Sequence, residues 1–113
     1  MSAITTHILD VSRGRPAEGV AVILEHRAAE GWQALGRGTT DADGRLRSLL
    51  PEGFDLQEGA YRLTFRTLDY FAAMGVETFY PEVTIIFVVA DAAAHYHVPL
   101  LVSPYGYSTY RGS

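Results

Sequence analysis

Cysteine and lysine are both missing from this chain. Without cysteine there is no thiol nucleophile, no thiolate zinc site and no disulfide. Without lysine there is no side-chain amine for Schiff-base chemistry. All nine basic residues are arginines, scattered from Arg13 to Arg111 in a chain of formal net charge −4. No basic stripe follows a phosphate backbone, so nucleic acid is not an expected partner. Long apolar runs are absent as well. No stretch approaches the roughly 20 residues a helix needs to cross a bilayer, and Met1 to His7 has neither the charged leader nor the apolar run of a signal peptide. A membrane is therefore not an expected partner, and the cytoplasm is the expected location. No repeat, low-complexity tract or linker divides the 113 residues. They read as one domain, residues 1–113, long enough to bury roughly 65% of the surface of the unfolded chain.

What is present alternates with period two far more often than with period 3.6, the signature of strands. Ile4 to Leu9 reads as a first strand, with Thr5, His7 and Leu9 on one face and Ile4, Thr6 and Ile8 on the other. Asp10 to Gly19 is a Gly/Pro-containing connection. Val20 to Arg27 and Trp32 to Gly38 form a hairpin through Glu30-Gly31. Asp41-Ala42-Asp43-Gly44 is a turn by composition, since Asp side chains bond nearby amides and Gly accepts positive φ, and a short strand follows from Arg45. Tyr61 to Thr67 alternates cleanly. Leu68 to Gly75 is the one helical candidate, with Asp69 as its expected cap and Gly75 as its expected end. Val83 to Ala90 is a near-continuous apolar run, as expected of a strand buried on both faces. His95 to Ser103 and Gly106 to Arg111 close the chain around a turn at Ser103-Pro104. The fold class expected from pattern is an all-β, two-sheet antiparallel β-sandwich of about eight strands with one short helix.

Residues two apart on a strand share a face. His95, His97, Pro99 and Leu101 therefore point together, and Tyr96, Val98, Leu100 and Val102 form the opposite, core-like set. If the first strand lies in one sheet with the last two, His7, His97, Ser108 and Tyr110 converge with Arg45 on one polar patch. A neutral imidazole accepts a proton near pH 7, and a guanidinium orients an anionic heterocycle and stabilises charge developing on oxygen. His26 and His95 read as structural. Ser108 lacks the Gly-x-Ser-x-Gly surroundings of a nucleophile elbow. Asp41-x-Asp43-Gly44 lacks the remaining ligands of a calcium loop. Three histidines without a carboxylate partner make a weak zinc site, so no metal is expected.

Five segments carry a resemblance that spans nearly the whole chain: His7-Ile8-Leu9-Asp10, Thr40 to Arg45, Phe79-Tyr80-Pro81-Glu82, Tyr96 to Leu101, and the closing Tyr110-Arg111-Gly112-Ser113. In order and spacing the chain resembles the 5-hydroxyisourate hydrolases, transthyretin-like enzymes of urate catabolism. The last tetrapeptide is the most specific element, because it separates the enzymes from transthyretin, the hormone carrier on the same fold. The resemblance implies His7, Arg45 and His97 as the catalytic set, with Ser108, Tyr110, Arg111 and Ser113 binding substrate and the tail closing the site. It implies a small-molecule substrate, 5-hydroxyisourate, no cofactor, and a homotetramer with sites at the dimer–dimer interface. Tyr110, where the carrier has a smaller residue, is expected to narrow an open channel into a shallow pocket. A non-catalytic carrier on the same fold is the alternative. A structural sandwich module is disfavoured, since no linker, signal peptide or aromatic platform is visible.

Overall fold

The computed structural model describes residues 2–113. The chain runs β1 (Ile4–Asp10), β2 (Arg15–Pro16), β3 (Ala21–Ala28), β4 (Gly31–Thr39), β5 (Arg45–Leu46), β6 (Gly59–Phe65), α1 (Thr67–Ala72), β7 (Val83–Val89), β8 (Tyr96–Ser103) and β9 (Gly106–Thr109). The strands form the two-sheet sandwich that the alternation predicts. One sheet has the order β2-β1-β8-β9, with β5 also paired to β1, and the other has the order β4-β3-β6-β7. Among the described residues there are nine strands in place of the expected eight or so, because two-residue β2 lies in the connection after β1.

Strand direction departs from expectation at one place. β1 and β8 pair in parallel over seven positions, from Ile4 opposite Tyr96 to Asp10 opposite Val102, while every other ladder is antiparallel. Alternation assigns residues to faces but carries no information about chain direction, so this pair was invisible to the pattern.

The core lies between the sheets. Ile4 and Ile8 of β1 and Val98, Leu100 and Val102 of β8 face Val22 and Leu24 of β3 and Tyr61, Leu63 and Phe65 of β6, all of them buried. Each full burial of such a side chain contributes about 1.5–3 kcal/mol, so these inner faces dominate the stability. Thr67 Oγ1 and His26 Nδ1 are buried without a partner among the described residues, whereas the hydroxyl of buried Thr6 is paired. Thr6 donates its hydroxyl to the Val98 carbonyl at 2.6 Å, cross-linking β1 and β8 beyond their backbone ladder.

Three local expectations are corrected. β7 is not buried on both faces. It has β6 on one side only, and Ile86 and Val88 are 58% and 66% exposed on its outer face. An apolar run reports hydrophobicity on both faces, not the number of neighbouring strands. Asp69 does not cap the helix. Arg66 is the N-cap residue, without a side-chain cap bond, and Asp69 sits within the first turn at 3.4 Å from the Arg66 guanidinium. The helix ends at Ala72 with Ala73 as its C-cap, short of the expected Gly75. Gly75, at φ +71°, closes the turn that follows, its amide bonding the Ala72 carbonyl while Val76 bonds that of Phe71.

This helix is tied to β1 through Asp10, which is fully buried. Asp10 Oδ1 accepts the Ser12 amide and hydroxyl and the Arg13 amide, and Oδ2 accepts the Tyr70 hydroxyl at 2.8 Å. Burial and the adjoining carboxylate both push the Tyr70 phenol up. Tyr70→Phe leaves Oδ2 without this donor in a desolvated place. It is expected to cost about 1–3 kcal/mol, read as a lower urea midpoint at unchanged slope. A midpoint equal to that of the parent would remove the bridge as a stabilising contact.

Candidate active site

Arg45 is delivered to β1 by the turn before it. Asp41 Oδ1 accepts the amides of Asp43 (2.9 Å) and Arg45 (3.0 Å), and these bonds, that of Arg45 foremost, hold its carboxyl below the usual carboxylate range. Gly44 has φ +73°, and a Cβ there would lie 2.4 Å from the Ile8 carbonyl oxygen. Only glycine lets the turn lie this close to β1, where the Ile8 amide donates to the Gly44 carbonyl at 2.8 Å. The ladder then sets Arg45 directly opposite His7, and directly opposed residues present their side chains together.

The other side of β1 supplies the second imidazole. Thr5 pairs with His97 and His7 with Pro99, so the outer faces of β1 and β8 are continuous. Thr5 Oγ1 lies 2.8 Å from His97 Nδ1 and 3.1 Å from His95 Nε2. The C-terminal segment folds along β8. Thr109 donates its hydroxyl to the Pro99 carbonyl at 2.7 Å, and beyond β9 the Gly112 amide donates to the His97 carbonyl at 2.8 Å. Together these place Thr5, Thr6, Arg45, Arg47, His95, His97 and Ser113 around one polar pocket of about 180 Å³.

Electrostatics suit these imidazoles to proton acceptance. Burial lowers the His97 pKa below 6.5, and the positive field of Arg45, then His7 and His95, lowers it further. Burial and then Arg45 also lower His7, against opposing contributions from Asp43 and Asp41. Both rings are thus neutral near pH 7, each with a nitrogen lone pair.

The predicted site residues separate into two groups. Arg45, His97 and Ser113 line the pocket, and His7 adjoins it through its pairing with Arg45. Ser108, Tyr110 and Arg111 do not line it within one chain. Ser108 pairs opposite Leu101 and is exposed. Tyr110 and Arg111 border a separate, apolar hollow of about 350 Å³ against Ile85 to Val88 of β7. The Arg111 guanidinium sits 4.5 Å over the Tyr96 ring and donates to the His95 carbonyl at 3.3 Å, on the sheet face opposite His97. His26 lies apart from the pocket against Tyr61, ring centroids 4.6 Å apart. Thr5, Thr6 and Arg47 were not singled out in the sequence, and His95 was read as structural. Period-two alternation already put Thr5 on the face of His7, but its neighbours depend on register.

A two-sheet sandwich of this strand order, with imidazoles and guanidiniums gathered on the outer face of one sheet, is a transthyretin-fold protein carrying the side chains of an acid–base site. The chain belongs to the HIUase/Transthyretin family, whose profile matches residues 4–112. It is 52% identical over 117 residues to the 5-hydroxyisourate hydrolase of Caulobacter vibrioides, with 100% of each chain covered. The structure of Klebsiella pneumoniae 5-hydroxyisourate hydrolase superposes with a TM-score of 0.84 at 41% identity, covering 97% of this chain and 98% of that one. Transthyretin from Sparus aurata superposes with a TM-score of 0.90 at 31% identity, covering 99% and 97%. Backbone shape alone does not separate a hydrolase from a transthyretin here, whereas sequence identity is higher to the hydrolases.

Two outcomes follow from this geometry. In a proton NMR titration, His7 and His97 are expected to titrate below 6.5, and Arg45→Met should move both upward by removing the cation beside them. Unmoved values would show that Arg45 does not set the local field. Gly112 packs beside His97, and a Cβ there would come within 2.6 Å of His97 Cδ2 and 3.2 Å of Pro99 Cγ. Gly112→Ala should displace the ring and reduce turnover by on the order of tenfold while the melting temperature stays close to that of the parent. Full turnover would mean that the ring tolerates the shift.

Proposed function

We propose that the chain hydrolyses 5-hydroxyisourate, opening its six-membered ring at the cyclic amide to give 2-oxo-4-hydroxy-4-carboxy-5-ureidoimidazoline. The observation that carries this reading is the union of neutral imidazole and guanidinium at one small polar pocket, in a chain half identical to proteins named for that activity. His97 takes a proton from water, the water oxygen adds to the amide carbonyl carbon, and the carbon–nitrogen bond breaks as the ring nitrogen receives the proton. His7 orients the substrate or relays its proton. Arg45, with Arg47 beside it, stabilises the oxyanion of the tetrahedral intermediate. Ser113 borders the site as a hydrogen-bonding group. Ser108 is cast in the same role rather than as an acylated nucleophile.

The active assembly in this reading is a homotetramer with its sites between dimers. The pocket of one chain is open and leaves Ser108 and Tyr110 outside it, which supports a site completed by a second copy. Arg111, stacked on Tyr96, acts here chiefly by holding the C-terminal segment against β8. The alternative, a small-molecule carrier, is favoured only by the close superposition on a transthyretin. A carrier has no use for His7, Arg45 and His97 together.

The test is the ultraviolet decay of 5-hydroxyisourate generated in place from urate and urate oxidase, with the parent beside His97→Asn and a chain ending at Thr109. Decay accelerated by the parent and lowered by at least about 100-fold in both variants is expected. In ¹⁸O-labelled water, solvent oxygen should enter the new carboxylate with no acyl-enzyme formed. Parent decay no faster than buffer would overturn the hydrolase reading in favour of the carrier.

A further inference from the structure

Thr5 holds two imidazoles with one hydroxyl. It is only 5% exposed, and its Oγ1 is within hydrogen-bond distance of both His97 Nδ1 (2.8 Å) and His95 Nε2 (3.1 Å). A hydroxyl has one proton to donate and lone pairs to accept with. With both rings neutral and both bonds made, Thr5 must donate to one ring and accept from the other. Two arrangements satisfy this. In the first, Thr5 donates to His97 Nδ1, the His97 proton sits on Nε2, and His95 donates from Nε2 to Thr5. In the second, His97 donates from Nδ1 to Thr5, Thr5 donates to His95 Nε2, and His97 Nε2 is left with a lone pair. The tautomers of the two rings are therefore locked to one another.

Two arguments choose the second arrangement. The pocket that His97 shares with Arg45 and Arg47 is rich in positive charge, which favours a lone pair over an N–H on the ring nitrogen that Thr5 does not hold. Protonation of His97 also leaves the second arrangement unchanged, since Nδ1–H still donates to Thr5 and the new proton enters at Nε2. The first arrangement would have to reverse the Thr5 hydroxyl and shift the His95 proton at each turnover. Preorganisation for charge development favours the site that does not rearrange.

We infer that Thr5 is a positioning residue which, anchored by His95, fixes His97 as the Nδ1–H tautomer and leaves Nε2 free to act as the base. His95 takes part through Thr5 rather than by contact with substrate. The inference deepens the hydrolase reading and rests on it for its catalytic part, whereas the tautomer pairing is readable without substrate. It also explains why a small polar residue lies buried on the outer face of β1, where its neighbours on that face, His7 and Leu9, are half-exposed.

The experiment is ¹⁵N NMR of histidine-labelled protein at neutral pH, which separates protonated from bare ring nitrogens, beside steady-state kinetics. In the parent, His97 should carry its proton on Nδ1 and His95 should have a bare Nε2. His95→Leu frees the Thr5 proton to turn to His97 Nδ1. With that contact competing against the positive pocket, the His97 proton should shift in part to Nε2, with kcat falling by up to about tenfold and KM little changed. Thr5→Val, nearly isosteric, should let His97 populate both tautomers, and Thr5→Ser should restore the parental spectrum and kcat. A parental His97 protonated on Nε2 would overturn the inference. So would tautomers unmoved in both His95→Leu and Thr5→Val, or a shifted tautomer with parental kcat. A parent with the expected spectrum and no turnover would instead overturn the hydrolase reading and leave the Thr5 lock standing.

Discussion

The parallel ladder between β1 and β8 is the constraint on which the rest of this molecule depends. It joins strands some 90 residues apart in the chain and sets Thr5 beside His97 and His7 beside Pro99. Antiparallel pairing of these strands, or a slip of one residue, would turn His97 toward different neighbours or into the core. The register is held from within. Ile4, Ile8, Val98 and Leu100 must face the opposing sheet, and Thr6 adds its bond to the Val98 carbonyl. The hydrophobic effect thus positions polar groups indirectly, since burying one face of each strand leaves the other face no freedom.

Around that ladder, smaller devices bring in what β1 and β8 lack. The Asp41 turn, closed by Gly44 against Ile8, carries Arg45 to the free side of β1. The C-terminal segment follows β8 back along its length and returns Gly112 to His97. The site therefore has contributions from β1, β5 and the residue just beyond it, β8 and its approach, and the last residue of the chain, four segments far apart in sequence. Its floor is rigid strand, and its charged groups reach in from turns and ends, an arrangement suited to holding a reacting group while admitting a small ligand.

The likeness to a transthyretin and to a hydrolase on one backbone shows how little of the chemistry lies in the fold itself. Two imidazoles whose charge is suppressed by burial and by an arginine are neutral near pH 7, which in the proposed reaction leaves a lone pair to take a proton. Their placement on the outer face matters energetically. A similar cluster inside the sandwich would carry a far larger desolvation cost and displace the apolar contacts that stabilise the fold.

Much of this was legible in the residues. Alternation identified the strands, the outer placement of His7 and His97 and the core role of Tyr96, Val98 and Leu100, because a strand's faces follow from spacing alone. The Asp-Gly turn announced the strand that begins at Arg45, and Gly75 the turn that follows the helix, because backbone conformation limits which residues can occupy those places. Direction, register and neighbour number were not legible, because they are properties of pairs. Hence the parallel β1–β8 contact, the one-sided β7, the turn of Arg111 onto Tyr96 and the meeting of Thr5 with two histidines emerged only in the folded chain. By itself the sequence determined which residues face in and which face out. The tertiary structure alone decided which outward residues meet, since a contact between strands depends on their relative register and direction, and neither is written in the local pattern of one strand.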